Sequence, residues 1–333
     1  MRLKSLALFT VLPFFAALAL TVQTHAQTAQ YQIITFDVGP YGTVAVSINP
    51  AGGITGEYFD AGEVSHGFVR AADGTITTFD VGLYGTHPQS ITPNGKITGY
   101  YLDVNRNLHG FVRAADGTIT TFDAPGGGPY GTVGVGINPA GVITGYYYDA
   151  NLMHHGFVRA ADGTITTLDV GPYGTFPRSI NPAGTITGNY SSAGDVWHGF
   201  VRAADGTVTT FDVGPYGTDT KSINPAGTIT GNYNDATFVV HGYVRAANGT
   251  ITTFDAPGPI ATQPQSINPA GTITGDYYDA NRNRHGFVRA TDGTFTTFDS
   301  QATNPLSIDP SGEITGWSQD ANGITHGFVL KPL

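Results

Sequence analysis

Residues 44–81 read VAVSINPAGGITGEYFDAGEVSHGFVRAADGTITTFDV. The stretch holds four apolar and β-branched runs separated by turn chemistry. Residues 44–49 form the first, ended by Pro50-Ala51-Gly52. Residues 54–59 form the second, a run of Ile, Thr, Tyr and Phe suited to a pleated, half-buried surface. After a loop over 60–65, residues 66–71 make the third run. Ala72-Asp73-Gly74 then turns tightly, because Asp-Gly supplies the positive φ that a hairpin needs, and residues 75–81 make the fourth. No stretch combines a 3.6-residue apolar period with helix caps, so no helix is expected.

The same stretch recurs along the chain. His-Gly-Phe, once His-Gly-Tyr, begins at His66, His109, His155, His198, His241, His285 and His326. A second landmark, mostly Ile-Asn-Pro, begins at Ile48, Ile91, Ile137, Ile180, Ile223, Ile267 and Ile308. Both landmarks advance by 43, 46, 43, 43, 44 and 41 residues, so they belong to one repeat whose loops vary in length. Four short strands every 40–50 residues is the signature of a propeller blade. A single four-stranded sheet cannot cover both of its faces. Stacking such sheets around an axis covers them and leaves only short edges. The sequence therefore predicts an all-β, seven-bladed β-propeller occupying residues 27–333 as one domain. The first repeat-like residues, Tyr31-Gln32-Ile33-Ile34-Thr35-Phe36-Asp37, match the fourth strand, and residues 325–330 match the third. Pairing of 33–38 with 325–330 is expected to close the ring.

Residues 1–26 read as a signal peptide. Arg2 and Lys4 precede an apolar run over 6–22 that contains Pro13, and Thr24-His25-Ala26 offers a cleavage site before Gln27. The expected location is secreted, extracellular or periplasmic, with no membrane span after signal removal. The chain has no cysteine, which excludes disulfides and thiolate chemistry. Lys plus Arg number 15 against 25 Asp plus Glu, the wrong balance for a nucleic-acid backbone. Hydrophobic residues make up 40% and charged residues 12%, which argues against disorder.

The order Ser-Ile-Asn-Pro-Ala-Gly, Ile-Thr-Gly-x-Tyr, His-Gly-Phe-Val and Thr-Phe-Asp resembles the extracellular HAF-repeat family over about residues 31–330. The tripeptide here is His-Gly-Phe rather than His-Ala-Phe. The family's Leu-Gly-Thr-Leu-Gly-Gly segment stands as Val-Gly-Pro-Tyr-Gly-Thr. The strand order is also similar to WD-repeat propellers. The resemblance implies an exported bacterial propeller and no particular reaction.

The seven repeated His have a polar partner six residues earlier: Asp60, Asp103, Asp149, Asp235, Asp279 and Asp320, with Ser192 in the fourth unit. Acid–base or metal chemistry is one reading of such pairs. Seven copies spread around a ring cannot converge on one substrate, so a hydrogen bond pinning each loop is the expected role. The Asp-rich loops at Asp103 and Asp279 lack the Gly and the distal acid of a calcium loop, and Asx-turns explain them. No nucleophile elbow or phosphate loop occurs. No cofactor and no metal are expected.

A specific site should lie where the copies differ. Tyr41, Tyr84, Tyr130, Tyr173 and Tyr216 mark the loops entering the first strands, and His87, Arg178, Asp219 and Lys221 follow at variable positions. These residues are the candidate ligand-binding set, although each Tyr could instead pack under its own turn. The leading expectation is a non-enzymatic binding or interaction module taking a glycan, cell-wall or protein surface. An enzyme, a lyase or hydrolase at the channel mouth, and a purely structural repeat protein are the alternatives.

Overall fold

The structure is a computed structural model that describes residues 31–128, 130–258, 260–298 and 302–333. The expected signal peptide and Asp299 lie outside these residues. Among the described residues there are 28 strands and no helix.

The strands fall into seven antiparallel four-stranded units. Unit 1 is Thr43–Ile48, Ile54–Phe59, Ser65–Arg70 and Ile76–Phe79, paired in that order. Units 2 to 6 repeat this pattern, and a single parallel pair, Val240 with Ala261, merges the sheets of units 5 and 6. Unit 7 is Asn304–Ile308, Ile314–Gln319, Thr325–Pro332 and, as its outer strand, Tyr31–Phe36. The last two pair from Tyr31 with Pro332 to Phe36 with Gly327. The expected partnership is present, with the N-terminal strand placed two residues earlier than the sequence suggested. The outer strand of unit 1 is also shorter than expected. It stops at Phe79 because Asp80 turns to bond His66.

The motif residues build the core. Ile54 and Phe68 and their counterparts, such as Ile97 with Phe111 and Ile143 with Phe157, are fully buried. Thr55 Oγ1 donates to Phe68 O at 2.9 Å, a bond repeated in every unit. Gly56 is obligatory, because a Cβ there would lie 2.0 Å from Val44 O. Between units, Phe79 meets Phe111 edge-on at 6.1 Å. Phe36 meets Phe68 in the same way at 5.9 Å, so the N-terminal strand supplies the packing between units 7 and 1.

The Ile-Asn-Pro landmark carries the polar joints. Asn49 Oδ1 accepts from Ala51 N and Gly53 N, which fixes the turn, while its Nδ2 donates to Thr92 O of unit 2 at 3.0 Å. Asn138, Asn181, Asn224 and Asn268 reach the following unit likewise. The preceding Ser makes a second joint: Ser47 Oγ accepts from Ile91 N, and Ser307 Oγ of unit 7 accepts from Ile48 N of unit 1 at 3.3 Å. First strands pack against first strands from unit to unit, and the first strand of unit 7 packs against that of unit 1.

Candidate functional site

At one end of the units, the loop entering each first strand meets the end of the second strand. Phe59 N donates to Gly42 O, and the bond recurs at Leu102, Tyr148, Ser191 and Asn234. The repeated His sit at this end. His66 Nδ1 lies 2.7 Å from Asp80, at the end of the outer strand, and its Nε2 lies 3.4 Å from Asp60. The tighter partner is thus the Asp fourteen residues later, inside the fourth run, which the sequence reading did not pair with the His. His109, His155, His241 and His326 repeat the double contact. His198 uses Asp212 and Ser192, and His285 Nε2 lies 3.3 Å from Asp279. In six units the imidazole also stacks on the Tyr of Ile-Thr-Gly-x-Tyr, with ring centroids 5.1 Å apart for Tyr58 and His66.

Burial alone would lower the His66 and His241 pKa values, but hydrogen bonds to their Asp pairs outweigh it and hold both raised. The loop Asp are held low by backbone N–H donors. Asp235 bonds Val239 N and Thr237 N, and Asp279 bonds Asn283 N and Asn281 N, which brings each to about 2. These are Asx-turns. Among the described residues no cluster of His, Cys, Asp and Glu has the makings of a metal site.

Divergence is concentrated at three register positions. The first-strand residue four before the Ile of Ile-Asn-Pro opposes the x of Ile-Thr-Gly-x-Tyr: Val44 with Glu57, His87 with Tyr100, Val133 with Tyr146, Phe176 with Asn189, Asp219 with Asn232, Gln263 with Asp276 and Asn304 with Trp317. The third position is the residue before His-Gly: Ser65, Leu108, His154, Trp197, Val240, Arg284 and Thr325. A register shift in every first strand isolates one more residue, among them Arg178 and Lys221. Such a bulge re-aims a side chain out of the ladder.

These positions meet between units. Between units 1 and 2, His87 Nδ1 lies 2.5 Å from Glu57 Oε2, His87 stacks on Tyr100 at 4.6 Å, and Ser65 Oγ lies 3.0 Å from His87 Nε2. Burial, with Glu57 and Tyr146 nearby, pushes the Tyr100 hydroxyl up to about 12. Between units 3 and 4, Phe176 lies 5.3 Å from Tyr146, 4.3 Å from His154 and 5.0 Å from Trp197, ring to ring. That aromatic run leads into a pocket of about 200 Å³ lined by Arg178, Trp197, Asp219, Asn232 and Asn234. Lys221 is paired to Asp219 at 2.6 Å, and buried Asn189 ties unit 4 to unit 5 by accepting from Thr220 N and donating to Thr218 O. Between units 6 and 7, buried Asp276 faces Arg284 at 3.3 Å, Gln265 at 3.4 Å and the Asn304 amide at 3.3 Å. Arg284 also bonds Tyr278 and lies over the Trp317 ring. Burial raises the Asp276 carboxyl to about 6 despite Arg284 and Lys221.

The structure therefore brings Arg178, Asp219 and Lys221 together and places His87 in a different cluster. Tyr41, Tyr84, Tyr130, Tyr173 and Tyr216 are 43–57% exposed rather than packed beneath their turns. They are separated along the loops, although Tyr130 approaches Tyr148 and Tyr216 approaches Phe238. Sequence reading missed Glu57, Ser65, Tyr146, Trp197, Asp276 and Arg284. Their signal was available as the variable residues inside and just before otherwise constant motifs.

No family model and no curated protein matches the chain. Solved structures do. A catalytically inactive virginiamycin B lyase from Staphylococcus aureus with quinupristin is 15% identical, covers 91% of this chain and 100% of its own, and has a TM-score of 0.61. A streptogramin B lyase is 15% identical over 90% of this chain and 98% of its own, with a TM-score of 0.60. The β-propeller domain of the Trilobed protease from Pyrococcus furiosus, described as having an open velcro topology, is 8% identical, covers 86% and 95%, and scores 0.55. The fold is that of a β-propeller. Its 28 strands fit seven blades, and among the described residues no helix is long and apolar enough to cross a membrane.

Proposed function

We propose that this propeller is an exported binding module that takes a glycan at the end carrying the divergent residues, chiefly between units 3 and 5. The observation that carries the reading is the run Tyr146, Phe176 and Trp197 leading into the pocket of Arg178, Asp219 and Asn232. A sugar offers an apolar face to an aromatic ring and hydroxyls to carboxylate and amide groups, the mixture that small-ligand sites combine. Six of the seven loops after the second strand hold a non-Gly residue at positive φ, including Leu152 and Phe238. Retaining bulky side chains there costs backbone strain and fits a decorated rim. The proposal includes a closed seven-bladed ring, sealed by the Tyr31–Phe36 strand, in an HAF-type repeat protein whose signal peptide ends at Ala26.

The test is a glycan array on the purified chain, followed by calorimetric titration of the best hit. Trp197→Ala is expected to weaken binding at least about fivefold, since removing a stacked Trp typically costs more than about 1 kcal/mol. An empty array, or equal affinity for Trp197→Ala, overturns the reading. A peptide retained in place of sugars would move the assignment to a protein surface.

A further inference from the structure

Resting on the glycan reading above, we propose that the sugar taken at the pocket between units 4 and 5 is acidic, a uronic acid whose carboxylate pairs with the Arg178 guanidinium. Arg178 belongs to the first strand of unit 4, at the register shift between Pro177 and Ser179, where the bulge frees its side chain from the ladder. The other units serve as internal controls. At this place they carry Val46, Gln89, Val135, Lys221, Gln265 and Leu306. The scaffold accepts apolar and neutral groups there, so it does not need a cation.

Three side chains set the charge of the pocket. Asp219 is matched by Lys221 at 2.6 Å, and that pair leaves no charge over. Arg178 is exposed, and among the described residues it makes no hydrogen bond and no ion pair. The site therefore holds one positive charge in excess, on a chain whose formal net charge is −10. A guanidinium presents a planar fork of donors that matches a carboxylate bidentately. Burial raises the Tyr146 hydroxyl pKa, Tyr148 adds to the rise and the Arg178 charge opposes it, so the cation stands near the aromatic run as well as in the pocket.

A uronic acid joins an apolar ring face and a carboxylate in one residue. Trp197 and Arg178 offer the two complements in one pocket, and Asn232 and Asn234 add amides for the hydroxyls. The same junction departs from the repeat in two further places. Unit 5 alone carries Tyr243 where the other units have Phe, and Thr220 where they have Ala, Pro or Gly. Thr220 Oγ1 donates to Asn189, whereas the Tyr243 hydroxyl is buried with no hydrogen-bond partner among the described residues. Leaving a buried hydroxyl unpaired is costly, and six units avoid it with Phe. Polar groups thus stand under this pocket at positions that the rest of the ring keeps apolar.

The experiment arrays trimers of galacturonic, glucuronic and mannuronic acid, each beside its methyl ester, and titrates the best-retained pair into the purified chain by calorimetry. The acid should bind at least about tenfold more tightly than its ester, the difference that one charge-assisted pair makes. Arg178→Gln, a residue the fold already holds at this place in units 2 and 6, should bring the acid down to the level of the ester and leave the ester unchanged. Arg178→Lys should restore the preference in part, because it keeps the charge and loses the fork. Trp197→Ala should weaken acid and ester alike. Equal affinity of the wild type for acid and ester, an acid preference that Arg178→Gln leaves intact, or tighter binding of a sulfated trimer overturns the carboxylate assignment while the glycan reading stands. Retention of neutral sugars alone does the same. An array on which no sugar of any kind is retained overturns both.

Discussion

Replacing Asp276 with Asn should stabilise the propeller above neutral pH and leave it unchanged in acid. Asp276 is 1% exposed, and burial raises its carboxyl from 3.8 to about 6 against the opposing pull of Arg284, Gln265 and Lys221. In the unfolded chain the group titrates normally. Between pH 4 and 6 the folded state therefore holds a proton that the unfolded state has released, so stability falls as pH rises through that window and the loss is complete above the folded value. A shift of about two units, at 1.36 kcal/mol each, makes that loss about 3 kcal/mol. Asn has nearly the same shape and cannot ionise, so its curve lacks the fall. Urea unfolding of both chains, followed by Trp197 and Trp317 fluorescence at intervals from pH 4 to 7.5, reads the difference directly, since every other titrating group is shared. The variant should gain about 3 kcal/mol on the wild type across the window. Parallel curves would refute the reasoning and mean that Arg284 holds Asp276 ionised in the fold.

Phe36→Ala removes the ring that meets Phe68 at 5.9 Å and lies under the Arg70 guanidinium at 4.9 Å; calorimetry should show a loss of about 3 kcal/mol. Asn189→Ala strands Thr218 O and the two Thr220 donors between units 4 and 5, and denaturant titration should show a cost of about 1–3 kcal/mol. Asp235 is held at about 2 by backbone donors, so its contribution is present above 3.8 and is lost as pH falls toward 2. Asp235→Asn should therefore be less stable than the wild type at pH 7, with the gap closing by pH 2 in thermal melts.

Much of the fold was legible because the scaffold writes each constraint seven times. Ile54, Gly56 and Phe68 recur because an inner-strand carbonyl, a buried ring and a close backbone approach exclude alternatives. The Asn of Ile-Asn-Pro recurs because it serves both its own turn and the next unit. The site was less legible because it joins residues from adjacent units at non-repeating positions. Glu57 and His87 are 30 residues apart and meet only through a register that places one above the other's strand. The pairing of His66 with Asp80 was missed for a similar reason. Proximity across the loop favoured Asp60, whereas the third-to-outer strand register brings Asp80 to the ring nitrogen.

The partnership of Tyr31–Phe36 with Thr325–Pro332 bears on biosynthesis. Asp37 and His326, which meet beside it, are 289 residues apart. At translation speeds of about 5–20 residues per second, the first strand emerges on the order of 15–60 s before its partner exists. Through that interval it presents an uncovered hydrogen-bonding edge to every other nascent chain. Polysomes crowded with this message would accordingly favour mispairing between neighbouring polypeptides, and a holdase that shields the leading segment should raise the yield of monomer.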